Sequence, residues 1–233
     1  WFPSETLEKT ELLPSWAKDA VVAWRLDGGW TDACTGVVST IEEQSRLVGQ
    51  PPAIFWWYHT WGNPHVRDGN KWADAPSPLA PPGFAEAVAR LRAQDIYSLC
   101  YLICYWWDYT GESWARDGGE KVLIVQPGGE PFYHHPRKVG YMCPGSPVYR
   151  EKIRRVAVEL ADSAPAVAGT YFDLGGVSAR VPGSRCFASD HGHPHGGGAW
   201  RTQAMRDLLY DMAEAGRSRV PDFTIITEAT VDT

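Results

Sequence analysis

The chain has 233 residues, 44% hydrophobic and 21% charged, with a formal net charge of -6 and no basic run. A chain of that length buries a full single-domain core, and its composition is globular. Phosphate binding needs clustered Lys and Arg, and a membrane span needs roughly 18 consecutive apolar residues; the sequence has neither, so no nucleic-acid and no membrane partner is expected.

Residues 1–18 carry no clear periodicity and read as an N-terminal extension or linker, with Leu12, Leu13 and Trp16 packing outside the domain proper. The first strand is expected over 19–27, ending on Arg25 and Asp27 before Gly28 and Gly29. A helical pattern follows over 36–49. A second strand over 53–59 is apolar on both faces, as a parallel strand covered on both sides should be, and ends on Tyr58 and His59. A Pro/Gly/Trp-rich segment, 60–82, leads to a helix over 82–94. There Phe84, Ala87, Val88 and Leu91 keep the spacing of one helical face.

The third strand is expected over 96–105, followed by Trp106, Trp107 and Asp108 and a long loop to 145, within which 121–125 reads as a small extra strand. Ser146 and Pro147 open a third helix as cap and first helical residue, with Ile153, Val156, Ala157 and Leu160 inward. A fourth strand, 168–173, ends on Asp173 and is followed at once by glycines. After another long loop, a helix over 199–215 turns Met205, Leu208, Leu209 and Met212 inward, and a fifth strand, 222–228, ends on Glu228.

Alternating strands and helices imply a parallel sheet with right-handed crossovers. Helix-to-strand connections are short, whereas the loops after the second, third and fourth strands are long. Long loops on one edge describe the functional face of a (β/α)8 barrel. The expected class is therefore α/β, a TIM-barrel type truncated after its fifth strand and occupying residues 19–233, with an open doubly wound sheet as the rival. No G-x-G-x-x-G follows the first strand, so nucleotide binding lacks support. The chain begins without Met and stops after a strand, so it reads as a piece of a longer protein with flanking domains.

Polar groups recur at the strand ends with aromatic residues between them, the chemistry of a carbohydrate cleft: rings for the C–H faces of sugars, and acids and imidazoles for their hydroxyls. Asp27, Tyr58, His59, Trp106, Trp107, Asp108, His191 and His193 are the expected substrate contacts, with Trp61, Trp72 and Trp114 extending the rim. Neighbouring parallel strands lie about 4.8 Å apart, so carboxylates at adjacent ends approach the roughly 5–5.5 Å of a retaining glycosidase. Asp173, in a Gly-flanked turn, is the expected nucleophile and Glu228 the acid/base.

The stretch 186–198 sets His191, His193 and His195 beside Asp190. It reads either as a loop whose imidazoles bind substrate hydroxyls, the preferred reading, or as the metal site of a metal-dependent hydrolase. A third possibility is a carbohydrate-binding barrel without catalysis. Five cysteines form no C-x-x-C pair, so neither a zinc framework nor a disulfide scaffold is indicated. Cys100 and Cys104 read as small core residues, and no metal or other cofactor is expected.

The runs Tyr-Phe-Asp-Leu-Gly-Gly from Tyr171, His-Gly-His-Pro-His-Gly-Gly-Gly-Ala-Trp from His191 and Ile-Ile-Thr-Glu-Ala from Ile225 resemble a bacterial barrel family related to glycoside hydrolases. The resemblance covers roughly 19–233. The family shows Asp-Gln where this chain has Asp173 and Leu174, and Thr-Glu-Gly where it has Thr227, Glu228 and Ala229. The chain is more distantly similar to α-amylase-type and endo-α-N-acetylgalactosaminidase-type barrels. There a strand-four Asp is the nucleophile and a strand-five Glu the acid/base, which implies cleavage of an α-linked sugar and the same roles for Asp173 and Glu228.

Overall fold

The computed structural model describes residues 14–20, 22–26, 35–49, 53–57, 83–103, 105–173 and 185–227. A short helix α1 (Ser15–Asp19) precedes β1 (Val22–Leu26), α2 (Thr35–Val48), β2 (Ala53–Trp57), α3 (Phe84–Arg92) and β3 (Ile96–Ile103). Strand β4 (Trp106–Asp108), helix α4 (Glu112–Asp117), β5 (Tyr133–His134) and β6 (Val139–Tyr141) follow. The chain returns through α5 (Pro147–Ser163), β7 (Gly169–Asp173), α6 (Ala199–Arg217) and β8 (Thr224–Thr227). The main sheet is parallel throughout, in the order β1-β2-β3-β7-β8.

That order bears on the two expected architectures. A doubly wound sheet reverses its strand order at a switch point and carries helices on both faces. Here the five strands follow one another in chain order. Apolar residues of all four long helices, including Ile41, Val88, Ile153 and Leu208, join one cluster with Ile96, Cys100 and Phe172 of the strands. A second, smaller cluster joins Leu99 and Ala168 to Trp16, with Tyr97, Tyr171 and Ile226 packed against it. Side chains alternate along a strand, so Cys100 and Leu99 face opposite sides. The sheet thus winds one way, with its long helices on one side and α1 laid on the other. Trp16, expected outside the domain, is buried there and stacks on Tyr97, ring centroids 4.6 Å apart.

Local sequence explains the elements. Phe84, Ala87, Val88 and Leu91 are all buried and make the inner stripe of α3. Pro147 opens α5, where its missing N–H costs nothing, and Ile153, Val156, Ala157 and Leu160 are buried. All but one residue of β3 are buried, as the apolar run requires of a strand covered on both faces. Cys100 is a buried core residue, and burial pushes its thiol pKa up.

The long connection between β3 and α5 differs from its expected form. It builds a separate antiparallel sheet, β4-β6-β5. The small strand expected over 121–125 is instead a 3-10 turn, Gly119–Val122, followed by single bridges from Leu123 to Met142 and Val125 to Pro131. Apolar alternation is shared by strands and by such irregular ladder segments, so pattern alone does not separate them. Among the described residues, no helix is long and apolar enough to cross a membrane.

Candidate active site

Asp173 ends β7. Its register partner in β3 is Ile103, and Leu99 pairs with Gly169 at the other end of the same ladder. Counting back by twos, Asp173 shares a face with Tyr171, the face opposite the long helices. Tyr101 lies beside Tyr171, ring centroids 5.9 Å apart, and its hydroxyl donates to Asp173 Oδ2. The half-buried carboxylate is therefore held in one orientation at the carboxyl edge of the sheet. On the other side, β8 pairs with β7 as far as Thr227 opposite Phe172. Glu228, Asp27, Tyr58, His59, Trp61 and Trp72 lie outside the described residues.

The remaining expected sugar contacts are placed otherwise. Trp107 has no exposed surface. Its indole N–H donates to Ser113 Oγ at 2.8 Å, Trp114 meets it edge-on, and the Lys152 ammonium stands 5.2 Å from its ring centroid. Asp108 is also buried, and its Oδ1 accepts from the backbone N–H and hydroxyl of Thr110 at 2.8 and 2.7 Å. Trp106 is buried beneath the Arg137 guanidinium. These three belong to β4 and fill the interior of the insert, so in this structure they offer no open face to a sugar. Their mixed aromatic and polar character fits a strand end and a small independent sheet equally well.

In His191 and His193 both nitrogens of each ring are engaged within the protein. His191 Nδ1 lies 3.5 Å from Cys186 Sγ, and its Nε2 lies 2.9 Å from the Lys121 carbonyl. His193 Nε2 lies 3.1 Å from Cys143 Sγ, and its Nδ1 lies 2.8 Å from the Pro194 carbonyl. The four donor atoms of Cys143, Cys186, His191 and His193 all lie within 4.8 Å of one another. Asp190 and His195, the other members of the expected metal cluster, are exposed and not among these four donors, although Asp190 Oδ1 lies 3.9 Å from His191 Nε2. Burial works against protonating His191, but the Cys186 sulfur and the Lys121 carbonyl outweigh it and raise its pKa.

Backbone hydrogen bonds bring the four side chains together. Within the insert after β3, Cys143 N donates to the Val122 carbonyl at 2.9 Å; Phe187 N donates to the Val125 carbonyl at 2.9 Å, which ties the loop after β7 to that insert. Cys186 and Gly196 exchange both of their backbone hydrogen bonds and close the loop carrying the histidines. His193 stacks on Trp200, centroids 3.7 Å apart. The sequence signal for this group was the stretch 186–198, which holds Cys186, His191 and His193; no C-x-x-C spacing links Cys143 to it.

With this geometry in view, three comparisons are informative. A Bacteroides thetaiotaomicron protein named "Putative glycoside hydrolase" is 25% identical over 203 residues, 86% of this chain and 28% of that protein. Trehalose-6-phosphate hydrolase of Bacillus licheniformis superposes with a TM-score of 0.63 at 14% identity, over 94% of this chain and 46% of the enzyme. An α-galactosidase of Thermus thermophilus gives a TM-score of 0.58 at 12% identity, over 91% of this chain and 39% of the enzyme. The chain thus spans less than half the length of each of these relatives. The two solved structures are TIM-barrel glycoside hydrolases, and at such identities the likeness is one of fold. One family match covers residues 1–232, and the chain belongs to the family described as "Domain of unknown function (DUF6259)".

Proposed function

We propose that this chain contributes five consecutive strands of a (β/α)8 barrel and the catalytic acids of a retaining glycoside hydrolase acting on an α-linked sugar. The observation that carries the reading is Asp173: a carboxylate at the carboxyl end of a sheet strand, on the face away from the long helices, oriented by Tyr101. The one-way strand order, the fold shared with glycoside hydrolases and the distant Bacteroides relative support it.

In the proposed reaction the Asp173 carboxylate attacks the anomeric carbon as the bond to the leaving oxygen breaks, and Glu228 protonates that oxygen. Glu228 then takes a proton from water, whose oxygen attacks the same carbon and frees Asp173. Glu228 follows Thr227 directly in the sequence, one step beyond the last β7–β8 pair. Asp27, Tyr58 and His59 remain proposed sugar contacts.

The test is hydrolysis of p-nitrophenyl α-D-galactoside and α-D-glucoside by the full-length protein. Asp173→Asn is expected to cut kcat by at least about a thousandfold with binding retained, and Glu228→Gln by about 10²–10⁴-fold. An activated fluorosugar should label Asp173. Turnover by Asp173→Asn within tenfold of wild type would overturn the assignment.

A further inference from the structure

We propose that Cys143, Cys186, His191 and His193 form a closed Cys2His2 zinc site that clamps the insert after β3 to the loop after β7. Neither the family match nor the proposed hydrolase reaction assigns these residues a role.

The geometry supports it in four ways. First, tetrahedral zinc with bonds of about 2.3 Å to sulfur and 2.0–2.1 Å to nitrogen sets its donors roughly 3.3–3.8 Å apart. The two S–N separations, 3.1 and 3.5 Å, lie close to that range, and all four donors lie within 4.8 Å of one another. Second, each imidazole has its other nitrogen against a backbone carbonyl, of Lys121 or Pro194, which takes that N–H and leaves the facing nitrogen as a ligand. This outer-shell arrangement is what metal-bound histidines use to fix tautomer and ring orientation.

Third, Cys143 and Cys186 are free and not joined in a disulfide, so both sulfurs are available as ligands. Fourth, both sulfurs and His191 are buried. Two thiolates and two neutral imidazoles balance a divalent cation, so the occupied site is neutral, which its burial demands. Soft sulfur with nitrogen in a four-donor tetrahedron selects zinc among common ions. Four protein donors leave no open position for substrate, so the site is structural. Close packing reinforces it: a Cβ at Gly145 would stand 2.6 Å from His193 Cδ2 and 3.1 Å from Trp200 Cζ3.

Full-length protein, purified reduced, is to be analysed for metal and reconstituted with zinc or cobalt(II) alone. Expected are one ion per chain and, for cobalt, thiolate-to-metal charge transfer in the near-ultraviolet with the intense visible bands of a tetrahedral ion. Cys143→Ser and His193→Gln should lower metal content at least about tenfold, whereas His195→Gln should leave it unchanged. Should the variants fail to fold, the wild-type cobalt spectrum decides. The proposal is overturned if the reduced protein takes up neither metal, if the cobalt spectrum is octahedral, or if Cys143 and Cys186 are recovered as a disulfide. Metal content and spectrum are read without hydrolysis, so failure here and failure of the glycosidase reading are separate outcomes.

Discussion

At the scale of single residues, Asp173 and Gly169 bound the five-residue strand that carries the candidate chemistry. Gly169 begins β7 with φ at +145°, and a Cβ there would stand 1.8 Å from the Thr224 carbonyl oxygen. That oxygen is part of neighbouring backbone and cannot move aside without breaking the β7–β8 pairing. Gly169→Ala is therefore expected to destabilise by about 3 kcal/mol or more, combining overpacking with an unfavourable backbone angle. Urea unfolding measures it; a loss below about 1 kcal/mol would show that the two strands separate easily. Asp173 itself was legible as a strand-end acid before glycines. Its Tyr101 partner was not, because the two lie on different strands and meet only through register.

At the scale of elements, the strands and long helices of the main sheet were readable from apolar spacing, and α1 and the insert were not. Five residues are too few to show a helical period, and α1 exists because Trp16 packs on Leu99, Ala168 and Tyr97. Truncating that ring should remove the cover from the face opposite the long helices. Trp16→Ala is expected to cost about 3–5 kcal/mol, seen as a fall in Tm. An unchanged Tm would mean that α1 merely rests on the sheet. The β4-β6-β5 sheet escaped reading because its strands are two or three residues long and pair out of sequence order, β4 with β6.

At the scale of the whole molecule, a charge cluster joins the insert to the helical layer. Asp117, at the end of α4, has a side chain only 4% exposed; it meets Arg116 and Lys152 at 3.0 Å and Arg155 at 3.4 Å. Arg116 and, against the opposing effect of burial, Lys152 and Arg155 hold its carboxyl well below the ordinary range. A depressed folded pKa gives stability that is present above the unfolded value of about 3.9 and lost as pH falls below it. Wild-type stability should therefore decline from about pH 5 downward. Asp117→Asn should be less stable at pH 7, by about 3–5 kcal/mol if Lys152 is left uncompensated, and should show a shallower acid decline. Urea melts at several pH values check this, and identical slopes for the two proteins would remove Asp117 as the cause.

The sequence by itself determined where the main strands and helices lie and which acid ends β7, because these follow from local periodicity, prolines at helix starts and glycines after a strand. It also separated short from long connections, and so pointed to the edge of the sheet where the proposed site lies. Tertiary structure alone decided that the strands run in one sequential order, that Trp106, Trp107 and Asp108 turn into the insert, and that Cys143 and Cys186 meet His191 and His193. The physical reason is range: a hydrophobic period repeats within a few residues, whereas donors brought together from two loops leave no spacing in the chain to be read.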